Sequence, residues 1–448
     1  MNLGALGWRS VLTIATFAML IQQAFSYTCQ LVMPVLADRM AEDFGISRGW
    51  LGLYLFIQNS AAIVAAMGCG GVIARFGPLR VSQWVLVLMA TSIAILSTGW
   101  LWLYPLSAVL LGLSAVSTPA SSAILAKVCP PRLAPLVFSV KQTGVPVGSL
   151  IGGLLLPFLL GTVIYSATLG TTIRLGTYGT AFVTALIVLC VAVALQPIRE
   201  HFDAERRPGT KIAFGDLKQT VSGVIRDPAL RDIAFAAFAF GGMQSLFAGF
   251  FVLFMIDGLS YTELQAGAVY AVSSFSAIFA RIVWGLLGAS IMSPRTVLAA
   301  IGLIGGAAGF ALTFADGSWS LTRVTLVAVV YNMTAISWHG VLLAETARLA
   351  PSDNVAAVTG GVLSFTSIAM MIYPAIYGAI LAATGSYEIG FALAAIPSFL
   401  AFVVFIRKPI ASGWGEEISR LVAIALTLRS LAISTCVIAA GAAIGWHL

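Results

Sequence analysis

Twelve long apolar runs, six on either side of one polar stretch, constrain this chain more than any other feature of its sequence. They lie near 10–36, 49–74, 79–99, 101–126, 134–161 and 177–196, then 229–256, 262–288, 295–315, 320–346, 354–383 and 386–406. A helix needs about 20 consecutive apolar residues to cross a bilayer, and each run meets that length. Only 9% of the 448 residues are charged, against about 25% in a soluble globular chain. Mean hydropathy is +0.99. An all-α membrane protein follows, and a charged, water-facing surface all round is excluded. Glycine inside the runs suits helices that pack closely in lipid.

Orientation is read from Lys and Arg in the loops. With the N-terminus inside, sixteen basic residues are cytoplasmic, among them Arg9, Lys127, Arg132 and the middle-loop cluster Arg199, Arg206, Arg207, Lys211 and Lys218. Four, Arg39, Arg48, Arg174 and Arg323, lie opposite. The net charge of +7 is thus a topology signal and points to no nucleic acid. Trp100, Trp102, Tyr104 and Trp319 fall at outer turns, the depth interfacial aromatics prefer. The run from Val11 to Pro34 exceeds the 7–15 residues of a signal-peptide core and contains Gln22, Gln23 and Gln30, so it reads as an uncleaved first span.

The chain divides into a six-helix half over 1–196, a linker over 197–228, a second six-helix half over 229–408, and a tail over 409–448. Glu200, His201, Asp203, Glu205, Arg206 and Arg207 read as a solvated linker. Leu217, Val221, Val224 and Ile225 then follow helical spacing, as in a helix lying on the membrane face. In the tail, the apolar stretch 430–446 is short enough to be either a thirteenth span or a packed or surface-lying helix. The five cysteines, Cys29, Cys69, Cys129, Cys190 and Cys436, are scattered singly with no metal-binding spacing, which suits apolar filler. The halves also repeat: Gly70 and Arg80 flank the turn after the second span with the same spacing as Gly285 and Arg295 after the eighth, and Pro146 and Pro374 form a looser pair.

These motifs resemble the major facilitator superfamily over residues 9–408. The stretch G-G-V-I-A-R-F-G-P-L-R from Gly70 to Arg80 is similar to the family's loop signature, G-x-L-x-D-R-x-G-R-K/R. Gly70, Arg75 and Gly77 match, and Arg80 stands one place past the last basic position. The second copy, from Gly285 to Arg295, keeps the first glycine and the final arginine. The signature's Asp, which the family uses in a charge network stabilising one conformation, is Ala74 in one copy and Ala289 in the other, so the resemblance does not carry that network over. K-Q-T-G-V-P-V-G-S-L-I-G-G from Lys141 resembles the family's Gly/Pro-rich fifth helix. The segments from Trp338 to Pro351 and from Thr359 resemble the inner ends of its tenth and eleventh helices. The fourth-helix Arg of many proton-coupled drug antiporters is missing, since residues 108–112 read A-V-L-L-G.

Ionisable groups within a span cost about 2.5–3.5 kcal/mol on insertion scales, which singles out a few residues. Arg281 lies roughly 10 Å inside the eighth span from Gly288 at 1.5 Å per residue. Its guanidinium can clamp a carboxylate bidentately, as eighth-helix arginines do in carboxylate transporters of the family; alternatively it holds carbonyls or Glu345. Lys141 opens the fifth helix and either adds positive potential or snorkels to headgroups. His339 can relay a proton or serve as a hydrogen-bonded packing residue. Asn332, Gln22, Gln30, Gln58, Asn59 and Gln244 can line a solute path or join helices. Glu345 and Arg348, with Lys127 and Arg132, read as gating or anchoring groups. Gly144, Pro146 and Gly148 allow bending or close helix approach.

No acid stands clearly at mid-span, so the expected potential favours anions. The working expectation is a secondary transporter that rocks two halves around a midplane site, carrying an organic anion such as a monocarboxylate with proton coupling. It would act as a monomer in a bacterial inner membrane, with the bilayer and a small-molecule substrate as partners and no cofactor. Efflux of amphipathic compounds is the nearest alternative, and a transporter-like sensor or assembly factor is one from another class. The spans carry no Ser/Lys pair, paired aspartates or HExxH, which argues against an intramembrane enzyme.

Overall fold

The computed structural model describes residues 7–46, 50–166, 171–210 and 216–407. The apolar stretch at 430–446 lies outside them, as do Arg48, Lys211, Lys408 and Cys436. Twelve helices among the described residues are long and apolar enough to cross a membrane. They match the twelve apolar runs, with ends shifted by tertiary contacts. The first span, Trp8–Ala37, belongs to one helix that continues to Phe44, past Pro34, and ends where Gly45 adopts a left-handed conformation. The sixth, Gly176–Phe202, extends beyond its expected end at 196. A two-stranded antiparallel hairpin, Val163–Ser166 with Thr171–Arg174, joins the fifth span to the sixth and is absent from the sequence reading. A helix at Asp216–Arg226 occupies the place expected of a surface helix; on it Val224 is buried and Ile225 exposed.

The chain forms two compact units. One comprises Met1–Cys129, Lys141–Gly223 and Ala350–Ser364; the other comprises Pro130–Val140, Val224–Leu349 and Phe365–Leu448. In the first unit the long first helix packs against the fifth span. A Cβ on Gly144 would sit 2.6 Å from the Leu20 carbonyl, and one on Gly148 would sit 2.9 Å from the Tyr27 Cβ. The Thr28 hydroxyl donates to the Gly148 carbonyl at 3.0 Å. Gly144 and Gly148 of the fifth span therefore allow close helix approach. Gly70 makes a similar contact with Ala357. In the second unit, Gly285 and Gly340 both close on Ser139; a Cβ on Gly285 would lie 2.6 Å from the Ser139 Cβ. An aromatic stack of Phe251, Phe247, Tyr270 and Tyr331 fills part of that unit's core, with Phe247 centroids 4.5–5.6 Å from the other three.

Candidate functional site

Three spans depart from a regular α-helix within their length, and each departure gathers buried polar groups. The fourth span passes from Tyr104–Leu113 through a 3-10 turn, Ser114–Val116, into Ser117–Val128. The fifth changes hydrogen-bond pattern at Thr143, between Ala134–Gln142 and Gly144–Gly161, while Thr143 keeps helical dihedrals of φ −63° and ψ −15°. Pro146 stands in the first turn of the second piece, where proline's missing N–H is tolerated. The tenth is interrupted between Leu321–Ala335 and His339–Leu349. Backbone that leaves the regular α-helical pattern inside a span is tolerated where it is buried in protein or lines a cavity, because its polar groups need partners.

In the first unit these partners come from the first helix. Gln22 donates to the Ser117 hydroxyl at 2.6 Å, at the break in the fourth span, and to Ser26 at 3.2 Å. Its carbonyl oxygen is buried with no hydrogen-bond partner. One residue on, Gln23 accepts from the Lys141 ammonium at 2.6 Å. Lys141 is only 1% exposed, and Gln142 and Thr143 beside it are buried too. This lysine is held inside the protein and does not snorkel. Lys141 and Ser117 are thus both docked on the first helix at the consecutive residues Gln23 and Gln22; Gln23 and Ser117 were not among the sequence candidates.

In the second unit Arg281, also 1% exposed, donates to the Ile336 carbonyl at 2.8 Å, a group freed by the break in the tenth span. The Ser337 hydroxyl reaches back to the Ala277 carbonyl at 3.0 Å, one turn before Arg281. The broken tenth helix and the eighth are therefore stitched by side chain to backbone. His339 is half-buried and stacks on Trp338, centroids 3.6 Å apart. Asn332 is fully buried and donates to Ser274 at 3.4 Å, leaving its carbonyl oxygen without a partner; the Gln244 carbonyl oxygen is likewise unpartnered.

The remaining amides fall elsewhere. Asn59 bonds the Leu55 carbonyl of its own helix at 2.9 Å. Gln30 and Gln58 are half-buried, and Gln58 contributes its backbone carbonyl to a tight contact with Gly112.

The loop-signature residues build a charged edge. Gly77 has φ +93°, and a Cβ there would lie 2.5 Å from an Asp203 carboxylate oxygen. The two oxygens of Asp203 accept from the backbone N–H groups of Leu79 and Arg80 at 2.8 and 3.0 Å, so this carboxylate caps the third span. The linker is therefore not solvated at Asp203, which is 1% exposed; burial raises its pKa above the ordinary carboxylate value, against the lowering effect of those amides and of Arg80 and Arg199. Further along, the Arg207 N–H donates to the Ala74 carbonyl at 2.7 Å. The Arg207 side chain reaches Asp353 at 3.5 Å, and Glu205 pairs with Lys127 at 2.8 Å. The position of the missing signature Asp is thus braced from the linker.

Arg75 is exposed, its guanidinium 5.4 Å from the Phe76 ring centroid. In the second unit Arg295 pairs with Asp232 at 3.0 Å, both side chains nearly buried, and stacks 4.9 Å over Phe405. Arg348 clamps the buried Glu345 through two 2.8 Å bonds. Buried carboxylates among the described residues are Asp203, Asp232 and Glu345, each near an end of a span.

A family model described as the Major Facilitator Superfamily matches residues 12–360. The chain belongs to that superfamily: it is a multi-pass membrane transporter and not an enzyme. No curated protein matches it. Solved structures share the fold at low identity. A human organic anion transporter, MFSD10 (TETRAN), is 17% identical, covers 89% of this chain and 100% of its own, with a TM-score of 0.68. The Escherichia coli fucose:proton symporter FucP is 15% identical over 90% of this chain and 100% of its own, at 0.67. A bacterial homologue of the iron transporter ferroportin is 14% identical over 89% and 98%, at 0.70.

Proposed function

We propose that the protein is a secondary active transporter of a small organic anion, a monocarboxylate being the simplest, coupled to protons and working by alternating access. The supporting observation is two buried cations within spans: Lys141 on Gln23 in one unit and Arg281 on the Ile336 carbonyl in the other. A buried charge is retained at a cost of several kcal/mol, which asks for a reason beyond packing. Guanidinium and ammonium groups make their strongest hydrogen bonds to carboxylates. Discontinuous helices are also where transporters of this general plan bind their substrates.

The fold houses an organic anion transporter and a sugar:proton symporter alike, so substrate class rests on the buried charges. His339, half-buried next to the break in the tenth span, is the proposed proton carrier. The basic-loop bias supports an N-terminus in the cytoplasm, and a bacterial inner membrane is the proposed site of action. The test is uptake of labelled carboxylates, sugars and amines into proteoliposomes with and without an imposed pH gradient. Gradient-driven accumulation of one acid, lost in both Lys141→Gln and Arg281→Gln while the variants remain folded, is the expected result. Uptake of a sugar or amine alone would sink the anion reading.

A further inference from the structure

A groove of about 540 Å³ runs between the third span, Pro78–Leu96, and the sixth, Gly176–Phe202. Its two ends differ in chemistry. At one end stand Arg80, the third residue of the third span, and Arg199, near the end of the sixth. Moving inward, the lining is Trp84, Val87, Leu189 and Val193. Trp84, Val87 and Val193 are 41%, 42% and 71% exposed, which for residues within a span means exposure to lipid. From Arg80 to Val87 the groove extends roughly 10 Å along the third helix at 1.5 Å per residue.

The floor is already satisfied. Gln83 donates to the Ala192 carbonyl at 2.9 Å and to Gln196 at 3.1 Å, and Arg199 donates to the same Gln196 oxygen at 3.0 Å. Among the described residues neither Arg80 nor Arg199 forms an ion pair. The carboxylate facing both is Asp203, but its oxygens are occupied by the Leu79 and Arg80 amides. Two guanidiniums therefore meet one buried carboxylate, and local charge stays positive at the depth where headgroups lie.

We propose that this groove binds an anionic phospholipid. Its phosphate sits between Arg80 and Arg199, and one acyl chain lies along Trp84, Val87 and Val193. Guanidinium groups suit phosphate because their planar fork matches its oxygens, and basic pockets between spanning helices are a recognised setting for anionic headgroups. The apolar wall distinguishes this occupant from a free anion, which would leave those side chains uncovered.

Native mass spectrometry of the delipidated full chain, titrated with dioleoylphosphatidylglycerol or dioleoylphosphatidylcholine, tests this. The wild type should retain the anionic lipid preferentially. Arg80→Gln with Arg199→Gln should lower that preference about tenfold, the order expected for two headgroup contacts, and Arg80→Lys with Arg199→Lys should keep most of it. The backbone cap at Arg80 is untouched by either pair. A control pair, Arg226→Gln with Arg231→Gln, removes the same charge from exposed positions elsewhere and should leave the preference unchanged. Equal retention of the two lipids by the wild type overturns the site. So does an equal loss in the control pair, which would mean diffuse attraction, or displacement of the lipid by millimolar inorganic phosphate, which would mean an anion contact without a seated chain.

Discussion

Replacing Asp203 separates the role of its charge from the role of its oxygens. In Asp203→Ala the N–H groups of Leu79 and Arg80 lose acceptors at 2.8 and 3.0 Å at the start of the third span. Loss of a helix N-cap costs about 0.5–2 kcal/mol. With two amides involved and the site buried, about 2 kcal/mol is expected, a fall in midpoint of roughly 2–4 °C. Asp203→Asn keeps one acceptor oxygen and removes the buried charge.

Burial raises the Asp203 pKa, so in the folded state the charge itself is a net cost. The sign follows from linkage. Between the ordinary carboxylate pKa and the raised folded value, the folded state binds the proton more tightly. This group's contribution to stability is therefore greatest below that window and falls as pH rises through it. The asparagine variant should lose about half of what alanine loses and should flatten the corresponding slope. Thermal unfolding followed by tryptophan fluorescence at several pH values measures both effects. An asparagine variant as damaged as alanine, or an alanine variant unfolding with the wild type, would refute the reasoning.

Two further substitutions probe the packing. A methyl group in Gly360→Ala would meet the Ala66 carbonyl and lie 2.6 Å from Cys69 Sγ. An overpacking cost of about 1–3 kcal/mol should appear as a lowered unfolding temperature and faster alkylation of the buried Cys69 thiol. Gly153→Ala, with open space around its Cβ, should do neither. In the second unit Asp232→Asn strands the buried Arg295 guanidinium and should cost about 3–5 kcal/mol, whereas Asp232→Leu with Arg295→Met should cost much less; denaturation of the purified variants decides this.

The fold was largely legible because crossing a bilayer leaves a local mark: a run of the right length with few charges. The candidate site was legible in part. Arg281, Lys141, Asn332 and Gln22 stood out because a polar residue in an apolar run is anomalous by itself. What escaped were features set by partners distant in sequence. The tenth span breaks within Ile-Ser-Trp at 336–338, where no proline or glycine marks the change. The break is compensated by Arg281, 55 residues away along the chain. Gln23 was visible beside Gln22, but nothing in its neighbourhood reveals that Lys141 docks on it.

Asp203 looked like one of several solvated linker charges because its cap lies on the third span and its seat is formed by Gly77. The paired loop glycines resembled a family signature, whereas their physical role, admitting Ala357 against Gly70 and Ser139 against Gly285, required the tertiary structure.

The most direct test of anion binding by the buried cations compares an acid with its own amide, two solutes alike in shape and different in charge. Uptake of the labelled acid into proteoliposomes under an inward proton gradient would be measured with an excess of unlabelled acid or unlabelled amide. If Lys141 and Arg281 bind the substrate's charge, the unlabelled acid abolishes uptake and the amide leaves it nearly intact, because a neutral amide forgoes the stronger charge-assisted bonds a carboxylate makes to a guanidinium or ammonium. Equal competition by the amide would contradict a charge-based site and return the neutral solutes to first place.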